Sequence, residues 1–475
     1  MMVRAIDRYR LLILLLVAVA ARAATFGDPV VHVDEDFYFA AADAMWRGAV
    51  PYLDVWDRKP VGLFLLYMPP AALPFWWGIW AYQAMALGAV VGTAWIVGRI
   101  AMRAGWGRGA TLAGVAYILW LNVAGGQGGQ SPVFYNFPMA AAALLIVSNP
   151  ARRWWRDAAA MALVGTALTI KTSAVFEGAF FGLWIIVHDW RNGRAPMLLA
   201  MRAVGLAALA FAPTAGIVAY YRALGALDAF WFANLWSIMG RNSDPPHERW
   251  GNLAKLVLLL SPLAAMAFAA RGTAAGGTGE GRRFAILWAA TALFGVFVIG
   301  GWFDHYALPA VAPLAVCAAR FLGARFWGAR RGAGLAILGV VALAGQITIV
   351  VNRVMRGGPG EFAALATAVG RGPGCLWVYS GTTKLYPATG RCRVTRYVFP
   401  SHLYRTRETG AIGVDQEAEV RRVLAVKPAV IVMRPLSIGE RPEIRAIVIA
   451  AVARDYRLAA RTPLGNEMIS VFKRR

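Results

Sequence analysis

The sequence predicts a polytopic α-helical membrane protein with a small C-terminal α/β domain, and three observations support this prediction. Of the 475 residues, 59% are hydrophobic and only 16% are charged. A soluble chain of this length carries more polar surface, so the composition favours a protein embedded in a bilayer. Apolar runs long enough to cross a bilayer recur along the first three quarters of the chain. After residue 351 they give way to shorter segments of mixed character.

The apolar runs predict about eleven transmembrane spans. The predicted spans lie near residues 9–27, 79–102, 108–124, 132–149, 157–170, 173–188, 197–220, 251–270, 284–301, 306–322 and 332–351. The pair within 157–188 is the weakest prediction, because each member is short for a hydrocarbon core of ~30 Å. The tryptophans at 76, 77 and 80 are typical of the aromatic belt at a membrane interface.

The distribution of basic residues sets the orientation. With the N-terminus in the cytoplasm, the short inner loops carry more Arg and Lys than the short outer loops, as the positive-inside rule requires. This orientation places the loop 28–78 and the segment 352–475 outside. The first apolar run also fits a cleavable signal peptide. We favour an uncleaved signal anchor, and either alternative leaves the downstream topology unchanged.

The mixed pattern of residues 352–475 predicts a separate α/β domain, which follows a transmembrane domain of residues 1–351. CLWVYS, AVIVM and MISVF are typical of short strands, whereas EFAALATAVG, DQEAEVRRVLAV and PEIRAIVIAAVARDY are typical of amphipathic helices. Cys375 and Cys392 lie in this segment, where an oxidising compartment permits either a disulfide or two free thiols. Cys317 lies in a predicted span, and the three cysteines fit no metal-binding spacing.

The net charge of +24 could indicate a nucleic-acid partner. The arginines, however, are scattered between apolar runs and form neither a patch nor a known nucleic-acid-binding motif, so the charge belongs to the loops of a membrane protein. We expect membrane lipids, and no nucleic acid, among the partners.

Three adjacent carboxylates, Asp34, Glu35 and Asp36, follow the first span in the stretch HVDEDFYFAAADAMWRGAVPYLDVWDRKP. One interpretation is a solvated helix start, because acids favour the first turn of a helix and FYFAAADAMWRG is typical of one. The other is a functional site, because a carboxylate at a membrane face could deprotonate a hydroxyl or bind a divalent cation. Residue types alone leave both interpretations open.

The wider pattern resembles the first extracytoplasmic loop of GT-C glycosyltransferases, polytopic enzymes that use polyprenyl-phosphate sugars. The pattern consists of Asp34-Glu35, Tyr38, a helix ending at Arg47-Gly48, then Pro51-Tyr52 and Lys59-Pro60. It is most similar to the bacterial branch of protein O-mannosyltransferases and lipid A aminoarabinose transferases. IKTSAVFEGAFFGLW and FDHYALPAVAPLAV also look like recurring segments of that branch. One departure is Val61, where the family carries a second proline after Lys-Pro.

The resemblance implies a GT-C-like fold and an inverting sugar transfer from a polyprenyl-phosphate donor. The sugar would be a hexose or a pentose, and the acceptor a hydroxyl of a glycan, lipid or protein outside the bacterial inner membrane. Asp34 is the expected catalytic base. Glu35 would orient the acceptor or help Asp34 to hold a divalent cation, Mg or Mn. The expected substrate-binding residues are Lys59, Arg58, Tyr38, His305, Tyr306, Lys171 and Asn136, with Lys59 and His305 foremost for the phosphate.

Each cation among these candidates has a structural alternative. Lys59 can snorkel at a helix start, His305 can be a plain interfacial residue, and Lys171 can be a boundary charge between two short spans. Glu177 lies within an apolar run, so we expect it to have a polar partner or to face a cavity. The glycine-rich loop GGQGGQ at 125–130 is expected to be flexible and to admit the acceptor.

Two other classes of protein compete with an enzyme. Many relatives carry an acid near the start of the fourth span, where this chain has Asn136, and an amide cannot act as a base. That departure keeps open an inactive GT-C-like scaffold that binds polyprenyl lipid. A secondary transporter is the other rival, but the sequence has no visible internal repeat and its acids lie at the membrane face. The sequence identifies neither the sugar nor the acceptor.

Overall fold

The structure is a computed structural model that describes residues 9–151, 153–269, 279–324 and 329–475. Its helices of ten or more residues are α1 (Arg10–Arg22), α2 (Val33–Trp46), α3 (Val61–Ala71), α4 (Phe75–Arg103), α5 (Ala110–Val123), α6 (Ser131–Val147), α7 (Trp154–Ile170), α8 (Val175–Arg191), α9 (Pro196–Ala223), α10 (Pro246–Ala269), α11 (Gly279–Ile299), α12 (Leu308–Leu322), α13 (Ala329–Arg356), α14 (Pro359–Val369), α15 (Gln416–Ala425) and α16 (Pro442–Asp455). Shorter helices are Leu227–Trp231, Ser237–Met239, Leu385–Thr389 and Ser401–Tyr404, with a π-helical turn at Phe232–Trp236.

Six helical segments in the described ranges are long and apolar enough to cross a membrane. These segments are Phe75–Arg103, Pro196–Ala223, Pro246–Ala269, Gly279–Ile299, Asp304–Leu322 and Gly332–Val369. Two shorter apolar helices are Val61–Ala71 and Ser131–Val147. The chain is therefore a mostly helical, multi-pass membrane protein, as predicted. The number of about eleven spans stays a prediction, because the other predicted spans fall on helices shorter than the ~20 residues that a bilayer requires.

The chain divides into two compact units, and the first consists of residues 1–24, 83–217 and 245–349. Helix α12 is largely buried and packs against α5, α10 and α11. The close approach of α12 to the start of α5 depends on Gly109, where a Cβ atom would lie 1.8 Å from the backbone oxygen of Ala319. Glu177 has the polar partner that the sequence predicts, since the indole N–H of Trp288 donates to Glu177 Oε1 at 2.6 Å.

The glycine-rich loop 125–130 is buried in the first unit, in contrast to the open and flexible loop expected from its composition. The buried guanidinium of Arg22 donates to the carbonyl oxygens of Gly126 and Gly128. The Gln127 amide donates to the Asn122 carbonyl at 2.8 Å. Arg22, a charged side chain from α1, thus supplies hydrogen-bond donors to buried backbone carbonyls of the loop. These hydrogen bonds hold the loop in place.

The second unit consists of residues 25–82, 218–244 and 350–475 and contains the sheet. The strands are β1 (Leu376–Val378), β2 (Val430–Met433), β3 (Tyr456–Leu464) and β4 (Glu467–Arg474), in the order β1-β2-β4-β3. β1 and β2 are parallel, and β4 runs antiparallel to both of its neighbours. The three predicted strands and three predicted helices of this segment are confirmed. β3 was missed because it is an edge strand with arginines and a proline, which break the hydrophobic alternation of a half-buried strand.

The hydrophobic core of the second unit includes a residue from outside the C-terminal segment. Trp56, from the first loop, is 2% exposed and packs among Trp377, Tyr397 and Ile431. Its backbone N–H donates to the Arg396 carbonyl at 2.8 Å. The predicted boundary at residue 351, with a C-terminal domain that folds by itself, stays a prediction, and this tryptophan offers a way to test it.

Cys375 and Cys392 form a disulfide, which resolves the two alternatives left open by the sequence. The bond joins the residue before β1 to the segment that follows the short helix Leu385–Thr389, and it closes a loop with a sequence separation of 17. Cys317 is a buried free cysteine in α12, as expected for a core position.

Replacing Trp56 by Ala should destabilise the second unit although the change lies outside residues 352–475. Truncating a buried tryptophan costs about 3–5 kcal/mol through lost burial and cavity formation. We expect a clear drop in the thermal unfolding midpoint of the full-length protein in detergent. Trp236→Ala is the matched control, because Trp236 is 56% exposed and should change the midpoint little. Equal midpoints for Trp56→Ala and wild type would show that the C-terminal segment is stable without the first loop.

Candidate active site

The acidic stretch begins helix α2, as the sequence predicts, but its N-cap is a histidine. His32 has extended backbone, and its Nδ1 accepts a hydrogen bond from the Asp34 N–H at 3.2 Å. The three acids occupy the first turn, where they interact favourably with the helix dipole. The helix ends at the predicted place, with Gly48 following in a left-handed conformation at φ 87°. Because His32 supplies the cap, capping does not account for the three carboxylates.

The three adjacent carboxylates have different environments. Successive residues in a helix point about 100° apart. Glu35 is fully buried and Asp36 is 3% exposed, whereas the Asp34 side chain is 16% exposed. Asp34 is therefore the one of the three that a substrate hydroxyl could reach without displacing the core.

Lys59 lies beside Asp34, so the structure brings together the two residues to which the resemblance assigns the central chemistry. Lys59 Nζ is 3.6 Å from Asp34 Oδ1 and 3.2 Å from Asp57 Oδ1. The loop that carries Lys59 is held by Tyr52, a buried residue with φ 68° whose hydroxyl donates to the Lys59 carbonyl at 2.9 Å. A left-handed conformation at a bulky residue is strained, which indicates that surrounding contacts fix this loop.

Aromatic rings surround the Lys59 ammonium. Nζ lies 5.8 Å from the ring centre of Phe37, 5.5 Å from that of Tyr38 and 5.4 Å from that of Phe399. Rings at these distances attract a cation and exclude water, which strengthens its interaction with any anion nearby. A snorkelling lysine would point to bulk solvent, whereas the Lys59 side chain is 18% exposed and its ammonium faces carboxylates and rings. Tyr38, also predicted as a substrate-binding residue, is fully buried and contributes through its ring.

Asp36 forms a buried ion pair with Lys384, a residue that sequence reasoning missed. Lys384 is fully buried, and its Nζ is 3.3 Å from Asp36 Oδ1. The same ammonium donates to the Pro29 carbonyl at 2.6 Å and to the Tyr82 hydroxyl at 3.2 Å, and Thr382 Oγ1 donates to Asp36 Oδ2 at 2.7 Å. Burial raises the pKa of Asp36 to about 6, against the opposing effect of Lys384. Asp36 therefore fastens the C-terminal segment to α2.

Arg58 points away from Lys59 and is paired with the C-terminal segment. Its guanidinium is 2.6 Å from Glu408 Oε2 and donates to Ser237 Oγ at 2.7 Å. Glu408 is 2% exposed, and its Oε1 also lies 3.2 Å from Arg241 Nε and 3.6 Å from Arg407 Nε. These contacts give Arg58 a structural role, and its predicted binding of substrate stays untested.

The predicted residues of the first unit form a cluster of their own. The Lys171 ammonium lies 5.7 Å from the ring centre of Tyr306, and the His305 ring lies 4.8 Å from it in an edge-on arrangement. His305 Nδ1 is 3.5 Å from Asp304 Oδ1, and Lys255 Nζ is 3.2 Å from Asp304 Oδ2. Lys171, His305 and Tyr306 are thus neighbours, as a shared binding role requires. Asp304 and Lys255 join them although the sequence had not singled them out.

Asn136 forms its hydrogen bonds with residues outside that cluster. Its side-chain amide donates to the Leu308 carbonyl at 3.0 Å and lies 3.4 Å from the Tyr117 hydroxyl. Asn136 is 3% exposed, so in this structure it joins α6 to the start of α12. The predicted contact with substrate remains untested.

The two acids proposed as metal ligands have different environments. Glu35 is fully buried, whereas Asp34 faces the Lys59 ammonium at 3.6 Å. A divalent cation at Asp34 would be repelled by that ammonium, and Mg²⁺ requires near-octahedral oxygen ligation. The Lys59 ammonium beside Asp34 disfavours a Mg or Mn ion there, the predicted ion stays untested, and we derive no step through one.

Below pH 6.5 His402 should make the protein less stable. The residue is 3% exposed, and burial lowers its pKa well below the usual value. The Glu408 carboxylate opposes this lowering of the pKa. The nearby cations add to it, and these are Arg58, Lys59 and Arg241. The unfolded chain binds a proton near pH 6.5 and the folded chain does not. Stability is therefore fully present above pH 6.5 and falls as the pH decreases, by up to about 1.4 kcal/mol per pH unit.

The measurement is the unfolding midpoint as a function of pH for wild type and His402→Gln. The substitution should flatten the decline between pH 6.5 and 5, whatever constant offset it introduces. His247→Gln, at an exposed position, is the control and should keep the wild-type slope. An unchanged slope in His402→Gln would show that this imidazole is protonated in the folded protein.

Comparison with known proteins agrees with the predicted fold. No protein-family model matches the sequence, and the search of curated proteins returns no match. Among solved structures, ArnT from Cupriavidus metallidurans bound to undecaprenyl phosphate is similar, with a TM-score of 0.63, 13% identity and coverage of 97% of each chain. The Archaeoglobus fulgidus oligosaccharyltransferase tethered with an acceptor peptide has a TM-score of 0.53 at 12% identity, covering 90% of this chain and 69% of the other. The chain therefore has the GT-C fold, in agreement with the fold that the sequence predicts.

Proposed function

We propose that the protein is a membrane glycosyltransferase that moves a sugar from a polyprenyl-phosphate donor to a hydroxyl acceptor. The observation that carries the proposal is the pairing of Asp34 with Lys59 at 3.6 Å at the start of α2. A base for the acceptor and a cation for the leaving phosphate are the two groups that direct displacement requires, and here they lie side by side.

In the proposed reaction, Asp34 accepts the proton of the acceptor hydroxyl while that oxygen attacks the anomeric carbon. The new carbon–oxygen bond forms on the face opposite the phosphate, and the bond between the anomeric carbon and the phosphate oxygen breaks. The electron pair of that bond stays with the polyprenyl phosphate, and the anomeric centre is inverted. Lys59 stabilises the charge that gathers on the phosphate, and the surrounding rings strengthen this interaction by excluding water.

The remaining predicted residues serve binding in this proposal. Glu35, which is fully buried, supports the position of Asp34 from the buried side of α2 and leaves contact with the acceptor to Asp34. Lys171, His305 and Tyr306 form the cluster that we assign to substrate, with the Lys171 ammonium on the Tyr306 ring as the anchoring contact. Lys59 supplies positive charge beside the base in this proposal.

The similar structures support the choice of substrate classes. One contains undecaprenyl phosphate and the other an acceptor peptide, which are a polyprenyl-phosphate lipid and a glycosylation acceptor. We extend these classes to this chain: the donor carries a hexose or pentose, and the acceptor is a hydroxyl of a glycan, lipid or protein. The positive-inside pattern and the bacterial resemblance support a reaction on the extracytoplasmic face of the inner membrane.

An inactive scaffold that binds polyprenyl lipid is the second candidate. Asn136, where relatives carry an acid, is bonded to the Leu308 carbonyl and offers no base. A secondary transporter is less well supported, since the acid–lysine pair lies at a helix start in the first loop and not on a broken mid-membrane helix. The enzyme is distinguished from both by turnover that depends on Asp34.

Asp34→Asn should lower sugar transfer while the protein stays folded. The amide keeps the size and the hydrogen-bonding oxygen but cannot accept the proton, and general-base catalysis contributes roughly 10²–10⁴-fold. The measurement is mass spectrometry of the cell envelope, comparing a deletion strain complemented with wild type or variant for the loss of one hexose, pentose or amino sugar.

The matched control is Asp43→Asn, the same change on the same helix. Asp43 pairs at 3.1 Å with Arg47, whose side chain is 50% exposed, so its loss should leave transfer unchanged. If Glu35→Gln abolishes transfer and Asp34→Asn does not, the base is Glu35. If neither variant differs from wild type, the acids have only a structural role and the enzymatic proposal fails.

The topology is testable with a fusion after Arg475. The positive-inside pattern predicts that the C-terminus is extracytoplasmic. A periplasmic reporter such as alkaline phosphatase should be active there, and a cytoplasmic fluorescent reporter should be dark. The reverse result would place the C-terminus, and the second unit with Asp34, on the cytoplasmic side. It would then contradict a reaction with the lipid-linked donor on the extracytoplasmic face.

A further inference from the structure

Asp57 holds Lys59 at two points. Its Oδ1 accepts a hydrogen bond from the Lys59 backbone N–H at 3.1 Å and lies 3.2 Å from Lys59 Nζ. The backbone contact is an Asx turn, in which a side-chain oxygen fixes the backbone two residues ahead. One carboxylate oxygen therefore restrains both the main chain and the head group of the same lysine. At 2% exposure Asp57 is shielded from water, so this charge contact is poorly screened.

The other carboxylate oxygen faces a residue that does not compete for the charge. His402 Nε2 is 3.6 Å from Asp57 Oδ2, too far for a good hydrogen bond. The imidazole ring is held by Trp56, at 4.8 Å between ring centres, and by Phe399, at 5.3 Å. Burial keeps His402 neutral by lowering its pKa. Among the residues that the structure describes, Lys59 is the charged partner of Asp57.

The turn at Asp57 also separates two adjacent cations. Arg58 extends to Glu408, whereas Lys59 turns to Asp34. The Lys59 contacts with Asp57 and Asp34 differ in kind: Asp57 is buried and belongs to the same turn as Lys59, whereas Asp34 lies on α2 and is more accessible. A phosphate that approaches can replace Asp34 as the partner of Nζ while Asp57 still restrains the lysine.

We propose that Asp57 is a positioning residue that holds the Lys59 ammonium between the catalytic base and the leaving phosphate, with His402 as the neutral support behind it. The inference rests on the proposed function, because it assigns Lys59 to the donor phosphate. Without Asp57, Lys59 loses the carboxylate that restrains both its main chain and its ammonium, so the ammonium is held less firmly when the phosphate arrives. Asp57 thereby lets Lys59 release Asp34 for proton transfer without leaving the site.

The test is a double-mutant cycle on the binding of undecaprenyl phosphate to the full-length protein in detergent. Asp57→Asn keeps an amide oxygen for the Asx turn and removes the charge, and Lys59→Met removes the ammonium at similar length. Asp57→Asn should weaken binding about tenfold, which is about 1.4 kcal/mol. Lys59→Met should weaken it at least as much, and the double variant should bind like Lys59→Met, because Asp57 acts through Lys59.

Additive losses in the double variant would overturn the proposal, since they would show that Asp57 acts on structure independently of Lys59. Wild-type affinity in Asp57→Asn would also overturn it. Asp43→Asn is the control for removal of a carboxylate from this region. Should Asp57→Asn fail to fold, Asp57→Glu takes its place in the cycle, because it keeps the charge but moves it out by one methylene. We expect an intermediate loss of affinity for Asp57→Glu. Wild-type affinity in that variant would contradict the proposal. Absence of undecaprenyl phosphate binding in wild type would instead refute the proposed donor, and the positioning role with it.

Discussion

The arrangement of the candidate site depends on a buried ion pair between Asp36 and Lys384. An ammonium without solvent contact is stable only when charge and hydrogen bonds compensate its lost hydration. Lys384 finds both at one point, where Asp36, the Pro29 carbonyl and the Tyr82 hydroxyl converge. Because Asp36 lies on the same turn of α2 as Asp34, the contact that fastens the C-terminal segment also fixes the helix start that carries the proposed base. Loss of one partner would leave a buried charge uncompensated.

The C-terminal segment is consequently part of the site and not an appendage to it. Phe399 supplies one of the rings around Lys59, and His402 lies behind Asp57. Glu408 draws Arg58 away from the lysine. Chemistry and support come from segments more than three hundred residues apart in sequence. In the membrane-spanning unit the same logic appears in Arg22, which holds a glycine-rich loop by its carbonyl oxygens. In both units buried cations organise backbone that apolar packing alone leaves undetermined.

Sequence by itself determined the features that local pattern encodes. Composition and apolar runs predicted a multi-pass helical protein, and periodicity placed helix α2, three of the four strands and three helices of the C-terminal segment. The order of Asp34, Tyr38, Lys59 and Pro60 predicted the GT-C fold through a resemblance. Local sequence was enough for these predictions, because helix and strand periods and the order of residues in one loop are properties of neighbouring residues.

Tertiary structure alone decided which side chains share an environment. Nothing local distinguishes Lys384 from a surface lysine, or assigns the adjacent Arg58 and Lys59 to different partners. Nor could spacing decide whether Cys375 and Cys392 pair, since pairing depends on where the chain brings them. Edge strand β3 escaped prediction because its pairing with β4, and not its composition, makes it a strand. These features arise from contacts between distant segments. The energy of such a contact depends on the burial of its groups and on the distance between them in the folded state. Neither burial nor distance can be read from a short window of sequence.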